Sequence, residues 1–259
     1  MDSYYTIDFG CNYADTKKYS KTKLKKILDE SYELGVNKIV CISNCLKEAK
    51  INIALAAEYP NLHFTLGIHP HHALEFKEDD LIFLEEHITH KKCFGIGECG
   101  LDFNRMFSSK EEQIYAFVKQ LELAKKCNAK LYLHCRDAYD DFIKIIKNNE
   151  YYNGLIHCFT GTIEQAIEFT SLGFKLGITG WLLDNRRNAD LVNVVKDKRI
   201  KLDMLIVETD APWMAIRPAR ESRPENTADI VERIAKLKNL DTIECGKIMY
   251  ETALKFLEK

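Results

Sequence analysis

The chain has 259 residues, 46% of them hydrophobic and 29% charged, with a net charge of -2. That composition excludes a long disordered stretch and matches the size of one barrel-type domain with a large buried core. The near-neutral balance excludes a global basic field, so any bound nucleic acid has to be held by a local patch or through metal ions.

The nine cysteines are odd in number and show no CxxC spacing, and Cys41, Cys93 and Cys135 lie inside apolar runs. This pattern predicts buried, reduced thiols in an intracellular, cytoplasmic protein and not a disulfide framework. The first ten residues carry acids and lack the basic-then-apolar order of a signal peptide. No apolar run approaches the roughly 18 residues needed to span a membrane.

In chain order, short β-branched or aromatic runs alternate with amphipathic segments. A strand at 4–9 precedes a helix at 21–34, a strand at 38–43 a helix at 46–58, and a strand at 63–69 a helix at 79–90. Strands at 93–98, 130–135, 154–159 and 174–179 follow, each leading to a helix, at 110–126, 138–148, 163–172 and 190–196. The last strand, 204–208, is followed by two helices, 225–238 and 242–257. Most strand runs are apolar throughout, as expected of strands covered by helices on both faces. Eight β–α alternations without a Pro/Gly/Ser linker predict the α/β class and a single domain over 1–259, a (β/α)8 TIM barrel. No GxGxxG opens the first helix, which disfavours a dinucleotide-binding open sheet.

Polar residues gather where these strands end. Asp8 and Asn12 close the first, His69 the third, Glu98 the fourth, His134 and Arg136 the fifth, His157 the sixth and Asp210 the eighth. In a barrel these ends converge on one face, where active sites are built. Each position taken alone reads most simply as a strand cap. Six polar strand ends on one face favour a site, because ionisable groups are rarely buried without partners. Two histidines with a Glu and an Asp suit a divalent metal such as Zn, Mn, Fe or Mg. His69 reads equally as a metal ligand, a phosphate-orienting group or a cap. Cys99, Cys135 and Cys158 each follow a candidate ligand, and strand alternation turns them to the opposite face as packing residues.

The blocks Gly97-Glu98-Cys99-Gly100-Leu101-Asp102-Phe103, Leu133-His134-Cys135-Arg136-Asp137-Ala138, His157-Cys158-Phe159-Thr160-Gly161 and Glu208-Thr209-Asp210-Ala211-Pro212 resemble the signatures of the TatD family of metal-dependent deoxyribonucleases. The resemblance runs from the first strand to the last helix. It implies an amidohydrolase-type TIM barrel, a divalent-metal requirement of one or two ions, and hydrolysis of DNA phosphodiester bonds. The implied mode is 3'-to-5' exonuclease action on single-stranded or damaged ends, a DNA-repair type of activity. Carried over, Glu98, His134, His157 and Asp210 would bind metal, Asp210 would also accept a proton from the attacking water, and His69 matches a family histidine. Many members carry a His-x-His pair at the end of strand one, where this chain has Gly10 and Asn12; a subgroup shares that substitution. The remaining position is oxygen-rich, with Glu98, Asp210 and Asn12 or Asp8, and suits Mg or Mn better than Zn.

Arg136 reads as a phosphate clamp or as a surface charge paired with Asp137. Arg186, Arg187, Arg217, Arg220 and Arg223, with Trp181 and Trp213, fall in the loops after strands seven and eight. They suit phosphate contacts and base stacking, or solvated charge and rim packing. The expected partner is DNA, single-stranded or end-containing, with no membrane and no obligate protein partner. Two rivals stand beside this reading: a hydrolase of a small ester, amide or phosphoester on the same barrel, and a binding protein that keeps the fold without turnover.

Overall fold

The computed structural model describes residues 4–216 and 218–258. Arg217 therefore lies outside the described residues. The strands are β1 (Thr6–Cys11), β2 (Val36–Cys41), β3 (Leu62–Leu66), β4 (Cys93–Asp102), β5 (Lys130–Arg136), β6 (Gly154–Ile156), β7 (Lys175–Ile178) and β8 (Leu205–Val207). The helices are α1 (Lys21–Glu33), α2 (Leu46–Glu58), α3 (Glu78–His87), α4 (Lys110–Cys127), α5 (Tyr139–Asn149), α6 (Ile163–Leu172), α7 (Ala189–Lys196), α8 (Thr227–Lys238) and α9 (Thr242–Leu257). The strands form one eight-stranded sheet in chain order, and the β3–β4, β4–β5, β5–β6 and β7–β8 pairings are parallel. A parallel bridge between Cys11 and Ala211 joins the ends of β1 and β8. This is the (β/α)8 TIM barrel expected from the sequence.

The chain divides into two compact units, Met1–Val40 with Cys158–Lys259, and Cys41–His157. In the first, β1 is buried at every position, and Phe9 stacks on Phe256 of α9 at 5.8 Å. The Thr6 and Thr227 hydroxyls pair at 2.8 Å beneath the start of α8, so a buried polar pair is satisfied internally.

In the second unit, β4 and β5 form the longest ladder. Its register runs from Gly95–Lys130 to Asp102–Arg136 and shifts between Ile96 and Cys99. Such an irregularity re-aims side chains, and here it takes Glu98 out of the β4–β5 ladder while its N–H donates to the Ser43 carbonyl at 3.0 Å. Gly97 and Gly100 make the irregularity feasible. Both have positive φ, 149° and 145°, and a Cβ would lie 2.1 Å from the Tyr132 carbonyl oxygen at the first and 1.9 Å from that of His134 at the second. Only glycine allows that approach. The sequence reading ended this strand at Glu98, yet it continues to Asp102 because pairing with β5 resumes at Cys99 after the irregularity.

Helix α4 fixes the neighbouring strand ends. Ser109 caps it and Glu112 reaches back to the Ser109 N–H, a capping box that satisfies two otherwise orphaned donors. Its buried face carries Phe117, stacked on Phe142 of α5 at 5.0 Å, together with Gln113 and Gln120. Gln120 accepts from the Ile68 N–H (2.8 Å) and donates to the Ile68 carbonyl (3.0 Å). Gln113 does the same for Asp102, at 2.8 and 3.0 Å. Two side-chain amides thus continue the backbone hydrogen bonding where the strands stop.

Removing one amide strands two buried backbone groups. Gln120→Leu is expected to lower stability by about 1–3 kcal/mol, read from the urea midpoint. An unchanged midpoint would show that Ile68 finds other partners.

Candidate metal centre

Three imidazoles of the second unit converge on one oxygen of Glu98. Glu98 is buried, and its Oε1 lies 2.7 Å from His134 Nδ1, 3.4 Å from His69 Nε2 and 3.9 Å from His157 Nε2. Glu98 sits at the β4 irregularity and His134 within β5, while His157 directly follows β6. His69 caps the short 3-10 helix Pro70–Glu75 after β3. Burial pushes the Glu98 carboxyl up, but the imidazoles of His69, His157 and His134 outweigh it and hold the group well below the usual range. Burial lowers the His69 ring to about 4, so it is neutral near pH 7. The His134 ring is raised above its ordinary value, because Asp102 and Glu98 overcome the burial that lowers it.

The donor set fits a divalent ion. His134 Nδ1 at 2.7 Å and His157 Nε2 at 3.9 Å face the same Glu98 oxygen, a mixed imidazole and carboxylate set of the kind such ions take. His157 Nδ1 pairs with the Tyr132 hydroxyl at 2.6 Å, which leaves Nε2 on the Glu98 side. Ligating histidines commonly bond outward in this way through their second nitrogen. The Nε2 of His134 is buried without a formed hydrogen bond, 3.3 Å from an Asp102 oxygen.

Asp210 lies in the first unit. Its φ is 55°, and its Oδ1 accepts from Asn12 Nδ2 at 2.8 Å. Asp8 lies behind it and is fully buried. It accepts from Gly10 N–H (3.1 Å), Thr209 N–H (2.8 Å), the Thr209 hydroxyl (2.5 Å) and the Cys11 thiol (3.0 Å). Four donors on one carboxylate use its acceptor capacity, so Asp8 holds the turn that presents Asp210. Glu208, also fully buried, accepts from the Cys158 N–H at 2.5 Å, next to His157 in the chain.

Cys99 and Cys135 follow the packing expectation in chemistry: burial pushes both thiols up, Cys135 to about 12. Cys158 does not. β6 ends at Ile156 and Cys158 has a φ of 45°, so strand alternation no longer applies there. Its sulfur lies within 4.8 Å of an Asp210 carboxylate oxygen.

The basic loops are largely self-neutralised. Arg186 and Arg187 both pair with Asp184, and Arg187 stacks on Trp181 at 3.9 Å. Arg223 is held by Glu30 and Glu225 at 2.6 and 2.7 Å. Arg136 and Arg220 are exposed. Trp213 is 61% exposed, with Lys18 Nζ 5.5 Å from its ring. Asp137 bonds to Asn104 Nδ2 at 2.7 Å. The residues that the sequence reading left without a role are Asp102, His71, Glu208 and Tyr132. Asp102 and Glu208 stood inside the quoted blocks, and their places at strand ends were the available signal.

The family model for "TatD related DNase" matches residues 7–258. The chain belongs to this TatD family. A 3'-5' ssDNA/RNA exonuclease TatD of Erwinia tasmaniensis is 35% identical over 257 residues, covering 96% of this chain and 96% of the relative. The protein of that name from Escherichia coli K12 is 34% identical over 243 residues, covering 91% and 92%. Among solved structures, a TatD family hydrolase from Entamoeba histolytica superposes with a TM-score of 0.88 at 26% identity, covering 98% of each chain. The TatD homologue YJJV of Escherichia coli K12 gives a TM-score of 0.87 at 25% identity, covering 98% and 97%. TatD membership implies use of a divalent metal, and the Glu98 cluster offers donor types that suit one.

The Asp8 carboxylate gives a pH test of this arrangement. Burial raises it to about 6, against the bonds from Cys11, Thr209 and Gly10 that lower it. Its folded value exceeds the ~3.9 of an unfolded chain, so the stability it contributes is full below that value and falls as pH rises through about 6. Asp8→Asn does not titrate. The stability of the parent relative to this variant should therefore decline between about pH 4 and 6 in urea titrations. A difference that stays flat over that window would contradict the burial of Asp8 as described.

Proposed function

We propose that this protein is a metal-dependent deoxyribonuclease acting as a 3'-to-5' exonuclease on single-stranded or damaged DNA ends. The observation that carries the reading is the meeting of three imidazoles on one buried Glu98 oxygen, in a chain of the TatD family. The whole of 1–259 is read as one hydrolase domain working in the cytoplasm in end-processing or repair of DNA.

Glu98, His134 and His157 would hold a divalent ion, and Asp210 would complete the set. Support for Asp210 comes from its closeness to Cys158, the chain neighbour of His157. When bound, the ion supplies neutralisation of phosphate charge and a more acidic water. Asp210, oriented by Asn12, accepts the proton of the attacking water. His69 presents an Nε2–H toward Glu98, because its Nδ1 already accepts from the His71 N–H at 3.0 Å. That makes His69 a donor to Glu98 or to a phosphate oxygen and not a ligand. Carboxylates from Glu98 and Asp210 favour Mg or Mn, and the imidazoles also admit Zn. One or two ions are compatible with this set. Arg136 and Arg220, set apart from the Asp184 and Glu30 pairs, are the cations suited to phosphate contact. Trp213 suits stacking on an unpaired base.

The test is turnover of 5'-labelled single-stranded DNA with Mg or Mn beside a chelator control and a panel of small esters. The expected result is a ladder shortening from the 3' end, abolished by chelation. Asp210→Asn and His134→Ala should each lower the rate by roughly 10²–10⁴-fold. Parent-like turnover in both variants, or a preference for the small esters, would remove the reading.

A further inference from the structure

We infer that Asp102 is a positioning residue that holds the ring proton of His134 on Nε2, facing its own carboxylate, and so commits Nδ1 of that ring to the metal. The inference rests on reading the Glu98 cluster as a metal centre and assigns a role to a residue outside that cluster.

Asp102 ends β4 and is 1% exposed. Its Oδ1 accepts from the Asn104 N–H (3.0 Å) and the Arg105 N–H (2.8 Å). Its Oδ2 lies 2.9 Å from His71 Nε2 and 3.3 Å from His134 Nε2. Gln113 pins the backbone of the same residue from α4. Oδ1 thus serves two main-chain donors, and Oδ2 faces two ring nitrogens. A carboxylate oxygen set among N–H groups is an acceptor, so an imidazole nitrogen facing it must bring the proton. His134 Nε2 is buried with no formed hydrogen bond, and Asp102 Oδ2 is the acceptor within reach.

A neutral ring protonated at Nε2 has its lone pair at Nδ1. That atom stands 2.7 Å from Glu98 Oε1, a separation that two lone pairs tolerate only with a proton or a cation between them. The metal therefore belongs on the Glu98 side of the ring, where His69 and His157 also point. His69 shows the opposite arrangement. Its Nδ1 accepts from the His71 N–H, so its proton is on Nε2, facing Glu98. Residue 71 links the two: its backbone sets His69 as a donor, and its ring shares the oxygen that sets His134 as a ligand. Two neighbouring imidazoles are thereby sorted into different duties by what lies behind them.

The test is long-range ¹H–¹⁵N spectroscopy of the full chain loaded with Zn²⁺, which separates protonated, lone-pair and metal-bound ring nitrogens. The expected spectrum has His134 metal-bound at Nδ1 and protonated at Nε2, with His69 protonated at Nε2. Asp102→Asn offers an amide N–H where the carboxylate stood, which favours the other tautomer. That variant should bind Zn²⁺ about 10–100-fold more weakly by calorimetry, with the His134 pattern altered and the His69 pattern retained. Metal bound through His134 Nε2, or an Asp102→Asn variant with unchanged affinity and tautomer, overturns the inference. If the variant does not fold, the parent spectrum decides alone. Cleavage of single-stranded DNA alongside Nε2 ligation would sink this assignment and spare the nuclease reading; the expected spectrum without cleavage would do the reverse.

Discussion

An ionised carboxylate cannot be buried alone, and the Glu98 neighbourhood is organised by that constraint. Transferring such a group from water to a protein interior costs several kcal/mol unless charge and hydrogen bonds compensate. At 5% exposure, Glu98 meets the requirement, among the described residues, with histidines and not with Arg or Lys. An arginine would satisfy the carboxylate permanently. Imidazoles satisfy it with single N–H protons, and a ring nitrogen that gives up its proton can bind a cation. The cluster is therefore a polar network whose donor types are also those a divalent ion takes.

Convergence of this kind needs backbone placed to within fractions of an ångström, and much of that precision comes from α4. Gln113 and Gln120 each bond to both the N–H and the carbonyl of one strand-end residue. The Ile68 pair fixes the residue before His69, and the Asp102 pair fixes the residue that faces His134. Gly97 and Gly100 allow β4 to approach β5 closely enough for this to matter. A helix nominally on the outside of the barrel thus acts on the centre through two amides.

This explains what was legible in the sequence and what was not. The strand ends carrying Glu98, His134 and His157 stood out because charged and imidazole groups interrupt apolar runs there. The extent of β4 did not, because Gly97 and Gly100 signal a break when read locally, and only the partner strand shows that the ladder resumes. Gln113 and Gln120 lie seven residues apart on the stripe that also holds Phe117 and Leu121, a place where a polar residue wants a buried partner; nothing local names that partner. Arg186 and Arg187 read as free cations although Asp184 stands two and three residues before them. Arg223 and Glu30 are 193 residues apart, and their pairing follows from the fold alone. Cys158 was misread because strand alternation was carried past the point where β6 stops.

The remaining buried acids, Asp8 and Glu208, show how the fold handles backbone that resists its own geometry. Cys158 and Asp210 both have left-handed φ, 45° and 55°, a conformation that costs a non-glycine residue of order 1 kcal/mol or more. At each, a buried carboxylate accepts a main-chain N–H, from the residue itself at Cys158 and from its chain neighbour at Asp210. Glu208 takes the Cys158 N–H, and Asp8 takes both the N–H and the hydroxyl of Thr209, one residue before Asp210. Glycine at either position would relieve the strain but remove the side chain that must project there. Aspartate at 210 keeps a carboxylate at the tip of a sharp turn, and the anchoring acid behind it makes that turn affordable. The acids of this chain thus fall into two physical kinds, those that face the centre and those that hold the backbone still behind it. Burial alone does not separate them, since Glu98 and Glu208 are both inside. What separates them is the partner: imidazole nitrogens around Glu98, a main-chain N–H at Glu208, and main-chain N–H groups with a hydroxyl and a thiol at Asp8.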